Sequence, residues 1–198
     1  MPDSTVVCEK RELRREIRAR SIVDSPAASL AVTRAVVASV AFGEASQVAL
    51  YAALPNEVPT RALFDEVIGA AKTALFPRCV GDTLEFAAVS RWDDLVEGAF
   101  GILEPRASSP AERLESGDLM VVPGLAFDRR GGRLGRGRGY YDRALAVDAV
   151  PFLCGLAYAA QVVERVPLAA HDVRMDAIVT EDGWASAAGT TVSESGGA

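Results

Sequence analysis

"DLMVVPGLAFDRRGGRLGRGRGYYD", residues 118–142, decides how this chain is to be read. Its first part, 118–128, is apolar almost throughout and is the strongest candidate for a buried strand, bent at Pro123-Gly124. The second part is of a different kind. Between 131 and 142, five glycines interleave with three arginines, and Tyr140, Tyr141 and Asp142 follow at once. An apolar strand that delivers the chain directly into a bare cationic loop suits an α/β protein that binds its ligand where strands end. The glycines leave backbone N–H groups unshielded, so they can approach phosphate oxygens closely. Arg133, Arg136 and Arg138 add charge-assisted hydrogen bonds. A helix starting at or near Tyr140 would present its N-terminus to the same anion. A flexible linker has no use for paired bulky aromatics, which argues against a merely basic loop.

Outward from this stretch, helices and strands alternate. Residues 8–20 predict a helix with a thin apolar stripe at Leu13 and Ile17, while Lys10, Arg14 and Arg18 share one face. Residues 24–43 predict a second helix, capped by Ser25, with Pro26 in its first turn and Gly43 at its exit. Residues 47–54 read as a buried strand ending in a Pro-rich turn, after which Thr60 caps a helix with Leu63, Phe64, Val67 and Ile68 as its core stripe. Two strands, 73–80 and 84–90, flank the turn at Gly81-Asp82, and 100–105 reads as a loop. The segments 151–158 and 176–182 are the last two strands. The pattern predicts a three-layer α/β fold, a mostly parallel sheet with helices on both faces, as one domain over 1–183. Residues 184–198 are small and polar and are expected to form a disordered tail.

Composition narrows the function. A net charge of −6 disfavours a general nucleic-acid binder, although a local patch can still hold a small anion. Cys8, Cys79 and Cys154 are scattered without a C-x-x-C, which fits a reducing cytoplasm and gives no disulfide framework or zinc site. His171 is the single histidine, so a multi-histidine metal site is impossible. No apolar run is long enough to span a membrane, and the first residues lack the pattern of a secretory signal, so a cytoplasmic protein is expected. The loop matches neither the P-loop spacing nor the dinucleotide fingerprint, which disfavours a P-loop ATPase and a nicotinamide enzyme.

The run 121–145 closely resembles the signature of the 5-formyltetrahydrofolate cyclo-ligases, also called methenyltetrahydrofolate synthetases. Further segments match in the same order: "KRELR" at 10–14, "YAALPNEVPT" at 51–60, "GILEP" at 101–105 and "HDVRMDAIVTE" at 171–181. The resemblance implies an ATP- and magnesium-dependent ring closure of 5-formyltetrahydrofolate, mono- or polyglutamylated, to 5,10-methenyltetrahydrofolate. ADP and phosphate are released, and the enzyme works in one-carbon metabolism as a monomer without nucleic-acid or membrane partners. It also implies site roles. Lys10, Arg11, Glu12, Leu13 and Arg14 match the family's N-terminal ATP-contacting segment, and Arg14 also its substrate contact. Arg133, Leu134, Gly135, Arg136, Gly137, Arg138, Gly139, Tyr140 and Tyr141 match the nucleotide loop. Within it, Arg136, Gly137, Arg138, Gly139 and Tyr140 also touch substrate, and Arg136, Arg138 and Tyr140 are the catalytic candidates. Arg138 stands where the family often has lysine. Ala52 and Glu57 match substrate-binding positions; a carboxylate suits the N–H donors of the pterin. Asp142 and Asp172 match magnesium ligands, with His171 and Asp176 as neighbours whose roles are open. Competing expectations are a non-catalytic nucleotide- or folate-binding regulator and an RNA-binding loop protein.

Overall fold

The computed structural model describes residues 4–20, 25–145 and 151–187. In chain order the elements are α1 (Ser4–Ala19), α2 (Pro26–Val37), α3 (Val40–Glu44), β1 (Gln47–Ala49), α4 (Arg61–Gly69), β2 (Thr73–Val80), β3 (Thr83–Ala88), β4 (Val96–Glu97), β5 (Leu103–Glu104) and β6 (Ala111–Glu112). They continue with β7 (Leu119–Val122), β8 (Ala126–Asp128), β9 (Arg133–Leu134), α5 (Tyr140–Ala144), β10 (Phe152–Leu156), β11 (Val162–Val163), β12 (Ala177–Thr180) and β13 (Gly183–Ser186).

Among the described residues, the main sheet has the order β13-β12-β10-β7-β1-β2-β3-β6. The five inner strands, β12 to β2, run parallel; β13, β3 and β6 add antiparallel edges. Strand alternation sends Val48, Leu119, Val121 and Cys154 to one face, where α2, α3 and α4 pack over them through Val32, Val36, Phe42, Leu63 and Phe64. Ala49, Leu75, Met120 and Leu153 point to the other face, covered by α5 through Leu145 and Tyr141 and by Phe127 of β8. A small sheet, β11-β8-β9, takes α1 on its outside, with Ile17, Leu125, Ala126 and Leu134 buried between them. The layering is therefore the three-layer, mostly parallel α/β arrangement expected. Among the described residues, no helix is long and apolar enough to cross a membrane.

Several local expectations need correction. The segment 118–128 is not one bent strand but two strands in two sheets, because Pro123-Gly124 turns the chain out of the main sheet between β7 and β8. The helix expected over 24–43 breaks at Ala38-Ser39. There the Ser39 hydroxyl donates to the Val36 carbonyl at 2.6 Å and accepts from the Phe42 amide at 3.1 Å, so Gly43 lies inside α3. Ser25 does cap α2, accepting from the Ala28 amide. Regular strand geometry ends at Ala49, although the Leu50 amide still reaches the Leu75 carbonyl at 2.8 Å. Thr60 makes no side-chain cap; its hydroxyl donates to the Tyr51 carbonyl instead. Ile68 is 38% exposed and leaves the stripe formed by Leu63, Phe64 and Val67. The segment 100–105, expected as a loop, contains β5, which pairs antiparallel with β4 just before it. The tail does not begin at Trp184, since 183–186 form β13 and the Trp184 ring stacks on Phe152 at 6.0 Å. Residues 188–198, the rest of that expected tail, lie outside the described residues.

The start of the arginine loop is fastened to the segment that carries Asp172. Gly131 has φ +82°, its carbonyl accepts from the Met175 amide at 2.8 Å, and a Cβ on it would run into the Met175 carbonyl. Only glycine fits there. Gly131→Ala should lower the unfolding free energy by about 1–3 kcal/mol. The check is a urea denaturation midpoint; an unchanged midpoint would show that the contact is not constrained.

Candidate active site

The parallel strands β1 and β2 and the β7 bend end around one cavity of about 710 Å³. From the segment after β1 come Tyr51, Ala52, Leu54 and Glu57; from β2 come Pro77 and Cys79; from the bend come Pro123 and Gly124. The run from Gly135 to Arg143 forms another side, α1 contributes Lys10 and Arg14, and Asp172 arrives from the loop before β12. The sequence elements expected to meet are thus brought together, although they are up to 162 residues apart in the chain, as Lys10 and Asp172 are.

Each cation here is held in a defined place. Arg133 is buried and ion-paired to Asp142, Nη2 to Oδ1, at 2.9 Å; its guanidinium lies 5.5 Å from the Tyr141 ring centre, and its Nε has no hydrogen-bond partner among the described residues. Arg136 Nε donates to Glu57 Oε1 at 2.9 Å and Nη2 to the Pro55 carbonyl at 3.2 Å. Arg138 stacks on the Phe100 ring at 3.9 Å. From α1, Arg14 Nε donates to the Gly135 carbonyl at 2.9 Å, while Lys10 pairs with Asp172. Burial, together with the Arg18 charge, pulls the Arg14 guanidinium below its ordinary value, against the pull of Asp172.

The acids are equally placed. Glu57 is buried, and its second oxygen accepts from the Leu54 amide at 2.9 Å. Asp172 accepts from Lys10 and from the Ala169 amide on the same oxygen. Burial works to raise its carboxyl, but these hydrogen bonds and the Lys10 and His171 charges outweigh it and hold the carboxyl below the usual range. Asp142 also accepts from the Val173 amide at 3.5 Å, so the backbone beside Asp172 sets the two acids in one corner. Among the described residues, no group of three His, Cys, Asp or Glu could cage a metal ion. Among the described residues, Asp142 Oδ2 and Asp172 Oδ1 nevertheless accept no hydrogen bond, and both residues line the cavity. Two open carboxylates fit magnesium, which takes one or two protein acids and completes its shell with water and phosphate oxygens.

Not every expected contact is made by a side chain. On α1, residues four apart share a face, so Lys10 and Arg14 reach the cavity; Arg11 and Glu12 are exposed and do not line it. Leu13 packs beside Ile17 into the small-sheet core. On β9 the alternation turns Arg133 to the cavity and Leu134 into that same core, fully buried. Arg11, Glu12, Leu13 and Leu134 are therefore structural neighbours of the site rather than its lining. His171 lines the rim, 4.0 Å from Asp172. Asp176 turns away and accepts from the Leu153 amide at 2.8 Å.

The sequence reading missed Phe100, Glu104, Cys79 and Arg143, all lining residues. Phe100 and Glu104 flank or belong to "GILEP", whose one strand, β5, is two residues long and has no readable period. Arg143 continues the α5 turn and donates to the Arg138 carbonyl at 2.9 Å. None of these groups is an activated nucleophile. Burial and the Glu104 charge push the Cys79 thiol up to about 11, and burial drives Tyr51 and Tyr141 well above the ordinary phenol value.

A doubly covered α/β sheet whose strand ends open on a cation-lined cavity is an architecture that suits an enzyme with an anionic ligand. The sequence profile of the 5-formyltetrahydrofolate cyclo-ligase family matches residues 6–181, and the chain belongs to that family of ligases. It is 27% identical over 190 residues to the 5-formyltetrahydrofolate cyclo-ligase of Mus musculus, covering 89% of this chain and 94% of the mouse protein. It is 31% identical over 140 residues to the 5-formyltetrahydrofolate cyclo-ligase of Mycolicibacterium smegmatis, covering 67% of this chain and 72% of that one. The solution structure of the Aquifex aeolicus 5,10-methenyltetrahydrofolate synthetase superposes with a TM-score of 0.79 at 34% identity, over 93% of this chain and 96% of that one.

The Lys10–Asp172 pair and the Arg14 hydrogen bond dock α1 across the loop. Because the folded-state pKa of Asp172 is depressed, its contribution is complete above the unfolded carboxyl value of about 3.9 and is lost as pH falls through the folded value. Asp172→Asn should lower hydrogen-exchange protection across Ser4–Ala19 at pH 7, with the difference from wild type vanishing in acid. Equal protection of α1 in both proteins at pH 7 would refute the docking role.

Proposed function

We propose that this chain uses ATP and magnesium to convert 5-formyltetrahydrofolate, mono- or polyglutamylated, into 5,10-methenyltetrahydrofolate, releasing ADP and phosphate. The observation that carries this reading is the convergence of Lys10, Arg14, Arg133, Arg136 and Arg138 with Glu57, Asp142 and Asp172 on a single cavity. A triphosphate needs such cations, and a pterin ring needs an acceptor such as Glu57.

The formamide oxygen of the substrate is a poor leaving group. It attacks the γ-phosphorus, the bond to the ADP oxygen breaks, and an imidate phosphate results. N10 then attacks the activated carbon; the new C–N bond forms, the C–O bond breaks, phosphate departs and the N10 proton is released. This route asks the protein for alignment and charge neutralisation rather than for a covalent partner. A Cys79 held as a thiol and phenols held as phenols agree with that demand. Arg136 and Arg138, with the amides of Gly137 and Gly139, cradle the transferring phosphoryl group. Tyr140, tilted against Phe100 at 6.3 Å, borders the reacting substrate. Lys10 and Arg14 close over the nucleotide from α1. Asp142 and Asp172 hold magnesium, which when bound neutralises charge on the phosphates. The single domain expected over 1–183 runs on this reading to the end of β13 at Ser186, supported by the main sheet that carries both β13 and the cavity wall. Cys8, Cys79 and Cys154 are all free, which supports a reducing, cytoplasmic setting for a monomeric enzyme.

The direct test is the growth of methenyl absorbance from 5-formyltetrahydrofolate. Product should appear only with ATP and magnesium both present; folded protein that gives none under those conditions ends the proposal. Asp142→Asn keeps the Oδ1 acceptor for Arg133 and Val173 but removes the charge. It should reduce kcat/KM about 100-fold and raise the magnesium concentration for half-maximal rate. Wild-type rate and magnesium requirement in this variant would remove Asp142 from the metal site.

A further inference from the structure

Acidic residues lining the cavity are Glu57, Glu104, Asp142 and Asp172. Among the described residues, three of them sit in ion pairs: Glu57 with Arg136, Asp142 with Arg133, Asp172 with Lys10. Glu104 has none. It is only 9% exposed, it opens onto the cavity, and the Cys79 thiol, a weak donor at best, is the polar side chain beside it. A carboxylate buried without a cation is a cost to the fold. The backbone is nevertheless shaped to receive it. A Cβ on Gly98 would run into the Glu104 carboxylate, so the β4–β5 hairpin leaves that side bare to seat it. The cation borne by the neighbouring wall, Arg138, is occupied over Phe100 at 3.9 Å.

The remainder of the cavity is rich in donors: guanidinium groups, an ammonium and the glycine amides. Donors recognise the phosphates and the formyl oxygen, but the tetrahydropterin ring brings N–H donors of its own, at the 2-amino group, N3 and N8. Buried donors need acceptors. Glu57 meets only part of this demand, because one of its oxygens accepts from the Leu54 amide and the other is shared with Arg136 Nε. We propose that Glu104 is a second substrate-binding carboxylate, accepting from an N–H group of the reduced pterin ring that Glu57 does not reach. This inference rests on the folate reading of the cavity. It makes the β4–β5 hairpin part of the folate site, with Phe100 at its tip and Glu104 at its base.

The experiment measures three quantities in wild type, Glu104→Gln and Glu104→Ala: the Kd for 5-formyltetrahydrofolate by calorimetry, the Kd for a non-hydrolysable ATP analogue with magnesium, and Tm. Glu104→Ala should raise the folate Kd at least tenfold, and Glu104→Gln, which keeps one acceptor oxygen, by less. The nucleotide Kd should stay within twofold, and Tm should hold or rise because an unpaired buried charge is gone. A purely structural glutamate would do the reverse, lowering Tm with folate affinity intact, and that result overturns the proposal. Wild-type binding of folate with equal affinity in both variants overturns it while leaving the folate reading standing. Failure of the wild type to bind 5-formyltetrahydrofolate overturns both.

Discussion

Like charge is the constraint that shapes this protein's centre. Lys10, Arg14, Arg133, Arg136 and Arg138 face a common cavity in a chain whose net charge is −6. Two cations about 4 Å apart repel by about 4 kcal/mol at the dielectric of a protein surface. The fold meets this by giving each cation its own counterweight: Asp172, the Gly135 carbonyl, Asp142, Glu57 and the face of Phe100 respectively. The partners come from the segment before β12, the turn after β9, α5, the loop after β1 and the β4–β5 hairpin. Neutralising the cluster therefore also ties distant parts of the chain together.

These pairings are also the ones a triphosphate and its magnesium would exchange. Phosphate oxygens offered to Arg136 would free Glu57 Oε1, and a cation offered to Asp142 and Asp172 would compete with Arg133 and Lys10. On the proposed reaction, ligand binding swaps one set of ion pairs for another instead of charging an empty hole. Little desolvation is left to be met at the moment of binding, because the groups are already half-buried and oriented. Arg138 belongs to the same logic. Its flat guanidinium can lie on Phe100 in a way that the ammonium of a lysine does not reproduce.

Local chemistry made part of this legible in the sequence. The Gly81-Asp82 turn, the Ser25 cap and the helix at Tyr140 depend on neighbouring residues, and they stand where turn and cap propensities put them. The loop after the apolar run pointed to the cavity it lines because Tyr140, Tyr141 and Asp142 follow its glycines and arginines at once, a combination that a mere linker has no use for. Long-range choices were not legible. Nothing in "VVPGLAF" tells a reader that its two halves join different sheets, since both halves are apolar and buried. Contiguous matches such as 10–14 hide the geometry of faces, and so Arg11, Glu12, Leu13 and Leu134 were grouped with residues that point elsewhere. The β4–β5 hairpin was invisible because two-residue strands carry no period, and the last edge strand because Trp184 is its one large residue among Gly, Ala and Ser.

One buried amide shows how the fold and the site depend on each other. Gln161 is 1% exposed and donates from Nε2 to the carbonyls of Gly124 and Leu125, both at 3.2 Å, and of Asn56 at 3.3 Å. Its Oε1 accepts from the Tyr158 amide at 2.9 Å. Gly124 and Leu125 form the bend where the chain leaves the main sheet; Asn56 precedes Glu57. The bend aims the arginine loop, and the Asn56 turn aims the carboxylate that Arg136 pairs with. A chain that switches sheets exposes carbonyls it cannot pair in either ladder, and each must find a donor. By supplying that donor from one side chain, Gln161 fixes both loops to a common origin, so the satisfaction of an orphaned turn and the registry of the binding groups are the same physical event.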